Sequence, residues 1–133
     1  MAEKLRLEVV TRRRRLLDVE VDEVRVPGVL GEFGVLPSHT PLLSAVGVGP
    51  LTYRQGRQEH ALAVRGGFAE VLADRVTVLA DEAEERDEID VVEAKQVAEQ
   101  AEAAMKRASG DELERLAADL RMAETRLAVA NRR

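Results

Sequence analysis

This 133-residue chain predicts an α+β fold, an N-terminal antiparallel β-sandwich followed by a C-terminal two-helix antiparallel hairpin. Three observations carry that expectation. Short stretches of alternating apolar and polar residues fill the first two thirds of the chain. The period changes near residue 88. Beyond it, alanine and charged residues recur at helical spacing. The chain therefore divides into a β-sandwich over residues 1–88 and a helical hairpin over 89–133.

The alternation begins with Leu5, Leu7 and Val9, continues through Val19 and Val21, and resumes at Val24 and Val26. The slip of phase between Val21 and Val24 predicts a bulge at Asp22-Glu23. Residues 49–55, 58–65, 67–72 and 75–81 repeat the pattern, with turn signals between them. Many short strands with no helical period between them indicate a sandwich or barrel. Between residues 27 and 43, three glycines and three prolines punctuate six large aliphatics. A flexible linker would be polar, so this segment is expected to be a packed loop shaped for contact. Gly28, Gly31 and Gly34 are expected at positive φ, turning Glu32 and Phe33 outward.

After residue 88 two helices are expected. The first, from about Asp90 to Ala108, carries Val92, Val97, Ala101, Ala104 and Met105. The second carries Leu113, Leu116, Leu120, Ala123, Leu127 and Ala130 at spacings of three and four. Asp90 with Glu93 and Ser109 with Glu112 supply N-terminal capping signals, and Gly110 lies at the break. Both stripes are narrow and rich in alanine. At about 25 cal/mol per Å2 of buried apolar surface, such a hairpin is expected to hold to the sandwich only weakly, and the spacing fits a movable hairpin and a permanently docked one equally well.

Composition removes several function classes. Only Phe33, Phe68 and Tyr53 are aromatic, so the core must be built from Val, Leu and Ala. Cysteine is absent, which excludes disulfides and cysteine-ligated zinc. The net charge of −5 and the lack of a base-stacking platform argue against nucleic acid, and Arg12 to Arg15 reads as a solvated turn. No apolar run approaches the roughly 18 residues of a membrane span, and the N-terminus has no apolar signal core. Membrane association is therefore expected through a partner, without direct insertion.

Catalysis finds little support. His39 and His60 lie in different segments, and neither sits in a ligand-spaced cluster. His39 reads as a structural or contact histidine and His60 as an ordinary sheet position. Gly-x-Ser-x-Gly and His-Glu-x-x-His are both absent. The carboxylates from Asp81 to Glu88 lack the glycine and the alternation of a calcium loop and read as a solvated linker. Glycines 28, 31 and 34 are followed by Pro37 and Pro41 instead of a lysine and a helix N-terminus, which speaks against a phosphate cradle. The chain is expected to be no enzyme and to hold no metal and no cofactor.

The joint spacing of the Pro27–Leu43 segment, Gly66-Gly67-Phe68 and Val76-Thr77-Val78-Leu79-Ala80-Asp81 resembles the epsilon subunit of bacterial rotary ATP synthases. The resemblance runs from about Leu5 to Asn131. It implies a two-sheet sandwich joining the gamma shaft to the membrane rotor ring of c subunits, and a hairpin that regulates rotation. The subunit would lie at the cytoplasmic face of the bacterial cell membrane. Carried over residue by residue, Glu32 and His39 face the polar loops of the ring. Phe33 is either a further contact or a local plug.

The last helix, with Arg115, Arg121 and Arg126, extends by the same resemblance into the catalytic head of alpha and beta subunits and restrains ATP hydrolysis. Cations near a helix C-terminus also suit the macrodipole. Some relatives bind ATP on the folded hairpin through an Ile-Asp-x-x-Arg-Ala motif with a further arginine seven residues on. Here Glu84, Asp90 and Arg126 match that pattern, but Glu93, Gln100 and Met122 replace three arginines. A carboxylate near a triphosphate is repulsive, so these departures argue against ATP binding. Composition and periodicity fit a free-standing interaction adaptor equally well; the motif spacing favours the family.

Overall fold

The computed structural model describes residues 3–132. Ten strands form two five-stranded sheets. The first has the order β2 (Arg15–Val21), β1 (Leu5–Val10), β9 (Arg75–Leu79), β8 (Phe68–Val71), β5 (Leu42–Ala45). The second runs β10 (Glu82–Glu85), β7 (Gln58–Arg65), β6 (Val48–Gln55), β3 (Glu23–Gly28), β4 (Gly31–Val35). A 3-10 turn over Arg86–Glu88 leads to helix α1 (Val91–Met105) and then α2 (Gly110–Ala130). The architecture is a β-sandwich followed by a helical hairpin.

The alternation places Leu5, Leu7, Val9, Val24, Val26, Leu51, Leu62, Val64, Val76 and Val78 in the space between the sheets, all essentially inaccessible to solvent. The pairing is antiparallel throughout except between β1 and β9, which run parallel. That departs from a wholly antiparallel sandwich. The N-terminal strand is inserted between its hairpin partner β2 and the distant β9, and a strand joined by so long a connection is free to run in either sense.

Three further expectations are corrected. There is no bulge at Asp22-Glu23: β2 belongs to the first sheet and β3 to the second, so the phase slip marks a change of sheet. Asp22 fastens this crossing. Its carboxylate accepts from Lys4 and from the Gly56 backbone N–H at 2.6 Å, and its own N–H donates to the Arg54 carbonyl at 2.8 Å. The 27–43 segment is not one loop. It contains the end of β3, all of β4 and the start of β5: about the two-residue turn Val29-Leu30, Gly28 pairs with Gly31, Pro27 with Glu32 and Val26 with Phe33. The acidic run is not a linker either. Glu82 to Glu85 form an edge strand on β7, and the charges of Glu82 and Glu84 are met by Arg65 and Arg126.

The chain passes between the sheets again at Val46-Gly47, Gly66-Gly67 and Ala80-Asp81, and these crossings bond to one another. Val46 N–H donates to the Gly67 carbonyl at 2.9 Å, Gly66 N–H to the Gly47 carbonyl at 3.0 Å and Asp81 N–H to the Gly66 carbonyl at 3.4 Å. Gly66 and Gly67 have φ of 72° and 92°, and a Cβ on Gly67 would stand 1.8 Å from the Leu79 carbonyl oxygen. Only glycine fits there.

The helices also differ in detail from expectation. Val92 and Ala104 are exposed and Ala94 is buried, so the inward stripe of α1 is Ala94, Val97 and Ala101. Asp90 caps α1 by accepting from Glu93 N–H at 3.0 Å. Ser109 occupies the cap position of α2 but its hydroxyl makes no capping bond; the turn is made by Gly110 at φ 59°. On α2, Met122, Ala123 and Val129 are the buried apolar residues. Met122 and Val129 lie outside the stripe expected from the spacing.

Two outcomes test this account. Gly67→Ala meets both positive φ and the Leu79 carbonyl, and should cost about 3 kcal/mol, lowering Tm by about 10 °C. Gly56→Ala, at φ 62° with nothing within 4 Å, should cost only about 1 kcal/mol. Equal melting shifts for the two would refute the crossing argument. The hydrogen bond from Lys4, then that from the Gly56 N–H, holds the Asp22 carboxyl below the usual aspartate range. A depressed carboxyl stabilises the fold above its ordinary value and loses that contribution as pH falls through the folded value. Asp22→Asn should therefore melt below the parent at neutral pH, and the gap should close on acidification below the ordinary aspartate range.

Candidate functional site

At one rim of the sandwich, the β3–β4 turn exposes Val29 and Leu30, the latter fully. Neither residue has positive φ; Gly31, at 127°, absorbs the turn's geometry. Gly28 and Gly34 do not adopt positive φ, contrary to expectation, because both lie in regular strand pairing. Glu32 is exposed on β4, with Arg25 at 3.3 Å across the ladder. Phe33 does not point outward. It is half-buried against the core, and a Cβ on Gly28 would come within 3.1 Å of its ring. His39 lies in the loop beyond the far end of β4, where its Nδ1–H donates to the Thr40 carbonyl at 2.6 Å. Glu32 and His39 share no hydrogen bond. His60, on β7, stacks on its cross-strand neighbour Tyr53 with ring centroids 5.0 Å apart.

A second surface escaped the sequence reading. Across the outer face of the first sheet, Ala45, Phe68, Leu79 and Val10 are successive cross-strand neighbours. Phe68 and Leu79 are more than half exposed, and Leu43 extends the apolar row along β5. A signal was present: Leu79 shares the parity of Thr77, opposite to the buried Val76 and Val78, and so had to face outward.

The third region lies where the hairpin meets the second sheet. Helix α2 packs across β6 and β7, and α1 packs on α2. Met122 and Val129 rest on Ala63, with Val48, Ala61 and Ile89 around them. Small residues on the outer face of β7 let the helix approach closely. Three ion pairs tie the hairpin segment to the sandwich: Arg65–Asp119 at 2.7 Å and Arg126–Glu84 at 2.6 Å from α2, and Arg132–Glu59 at 2.7 Å from just beyond its end.

Arg126 sits in a cleft of about 700 Å3 between α2, α1, β10 and the 11–14 turn. Its Nη1 also reaches Glu93 of α1 at 3.1 Å. Burial pushes the Arg126 guanidinium down, and the bonds and charges of Glu84 and Glu93 outweigh this, so its pKa is raised. The carboxylate that replaces an arginine of the ATP-binding motif therefore has an internal partner. Of the other matching residues, Glu84 is the second partner and Asp90 is spent on the α1 cap. Arg115 and Arg121 lie on the exposed side of α2 with no ion pair among the described residues. The three arginines of the last helix thus fall into two groups, and only Arg126 faces inward.

Residues 4–86, the sandwich, match the family model described as the ATP synthase delta/epsilon chain, β-sandwich domain. The chain belongs to this family. Its correspondence extends through the hairpin. It is 49% identical to the ATP synthase epsilon chain of Syntrophobacter fumaroxidans, with 99% of each chain covered. It is 47% identical to the epsilon chain of Solibacter usitatus over the full length of both. The fold also matches a chain in the cryo-EM structure of the Euglena gracilis mitochondrial ATP synthase OSCP/F1/c-ring. That match has a TM-score of 0.79 at 22% identity, covering 92% of this chain and 78% of the other. The epsilon-chain architecture, sandwich and hairpin together, is therefore present in full.

Proposed function

We propose that this chain is the epsilon subunit of a rotary proton-translocating ATP synthase, a non-catalytic part of the central stalk at the cytoplasmic face of the membrane. Its sandwich joins the gamma shaft to the ring of c subunits, and its hairpin restrains ATP hydrolysis. The observation that carries this reading is the end-to-end correspondence with ATP synthase epsilon chains through both sandwich and hairpin. No described helix is long and apolar enough to cross a membrane.

Each surface takes a role. Glu32, with Val29 and Leu30 beside it, meets the polar loops of the ring, and His39 meets them from the loop beyond the far end of β4. Phe33 shapes this rim from inside by filling the space over Gly28. The row of Leu43, Phe68 and Leu79 offers gamma an apolar face of the kind that marks a protein interface. Arg115 and Arg121 are free to meet an acidic surface of the catalytic beta and alpha subunits. Arg126 joins them only when the hairpin leaves the sandwich.

The test uses the assembled enzyme, into which Glu32→Cys is easily introduced because the chain has no cysteine. Cysteine at position 32 should crosslink to one in the ring's polar loop, both in the full chain and in a chain ending at Glu88. The shortened chain should still join gamma, with ATP hydrolysis raised. Crosslinking to the catalytic subunits instead, or failure of the shortened chain to assemble, would refute this division of labour.

The chain binds ATP at millimolar affinity or worse. Three arginine positions of the motif hold Glu93, Gln100 and Met122, Met122 is packed on Ala63, and Arg126 is occupied by two carboxylates. A millimolar constant corresponds to about −4 kcal/mol, and each charge-assisted hydrogen bond lost is worth about 1.5–3 kcal/mol. Isothermal titration of the purified chain measures it, and micromolar binding would overturn this reading.

A further inference from the structure

We propose that the hairpin of this chain is locked onto the sandwich by an internal carboxylate–guanidinium–carboxylate bridge, Glu84–Arg126–Glu93, so that docking requires no ligand and is governed by charge. The consequence for ATP hydrolysis rests on the regulatory reading above; the lock itself does not.

The geometry supports the lock in three ways. Glu84 lies on the sandwich, Arg126 on α2 and Glu93 on α1, so one guanidinium joins all three elements that must separate when the hairpin opens. The Arg126 side chain is only 11% exposed, whereas Glu93 is 58% exposed. The inner arm of the bridge is thus sheltered from solvent, where a charged hydrogen bond is strongest, and the outer arm stands at the cleft mouth. The apolar contact beneath is small, consisting mainly of Met122 and Val129 on alanines, and is a weak hold by itself. α1, moreover, is packed on α2 and makes little contact with the sheets, so its second tie to the docked arrangement runs through Glu93. Arg65–Asp119 joins α2 to the sheet, Arg132–Glu59 joins the residues just beyond α2 to it, and both leave α1 untied.

The experiment is amide hydrogen exchange on the isolated full-length chain without nucleotide, comparing parent, Arg126→Gln and Glu93→Gln. In Arg126→Gln, amides of α1 and α2 should exchange about tenfold faster or more, the loss of at least one charge-assisted hydrogen bond, while amides of the core strands β1, β6 and β9 keep the parent rate. Glu93→Gln removes only the outer arm at an exposed position and cannot unfold the sandwich. It should accelerate α1 by a smaller factor. In the parent, the same helical amides should exchange faster as salt rises, and in Arg126→Gln this salt dependence should be largely lost. Should both variants leave helical exchange within twofold of the parent, the apolar contact and the two remaining ion pairs hold the hairpin and the lock is refuted. If exchange in Arg126→Gln rises equally in the helices and the core strands, the residue stabilises the whole fold and the lock is likewise refuted. Because no other subunit takes part, failure here would leave the place of the chain in the ATP synthase standing, and success would not establish it.

Discussion

The mutual bonding of three chain crossings, at Val46-Gly47, Gly66-Gly67 and Ala80-Asp81, is the constraint on which the rest of the structure depends. A core built almost without aromatics must bring two sheets close enough for valine and leucine side chains to interdigitate. The chain changes sheet five times to do so. Each change breaks strand pairing and leaves backbone groups to be satisfied elsewhere. At these three crossings the backbones serve one another, which demands an approach so close that position 67 has no room for a side chain.

The same framework prepares the platform for the hairpin. Residues whose parity points them away from the core, Ala61 and Ala63, are small, and the β7 strand that carries them lies next to the edge strand β10. Glu84 on that edge faces α2. The docking surface therefore combines a shallow apolar seat with charges placed around it. Apolar burial supplies proximity, and the ion pairs supply direction, since Arg126 reaches both carboxylates only when α1, α2 and β10 share one arrangement. A hold of this composition is finite and sensitive to ionic strength.

The two faces of the sandwich divide the remaining work. The second sheet is covered by the hairpin, and the first sheet leaves Phe68, Leu79 and Leu43 uncovered. The Val29-Leu30 turn and Glu32 project from the rim without side-chain support from the hairpin. The rim and the outer face of the first sheet thus stand apart from the surface on which the hairpin docks.

The sequence by itself determined the class of fold, the β7 strand over 58–65 and the Asp90 cap, because each follows from local periodicity or local hydrogen bonding. Gly66 and Gly67 entered the sequence reading only as part of a family-like spacing, and their role at the crossing came from the structure. Tertiary structure alone decided that the slip at Asp22 is a change of sheet, that β1 runs parallel to β9, and that the acidic run is a strand. These are choices of partner among distant segments, and alternation reports only which side of a strand is buried. The same limit governed the hairpin. Spacing revealed a stripe on each helix, but α2 contacts two neighbours, and Met122, Arg126 and Val129 gained their roles from the sheet beneath them. An arginine on a helix reads as solvated until the fold brings two carboxylates to meet it, and that meeting is a property of packing.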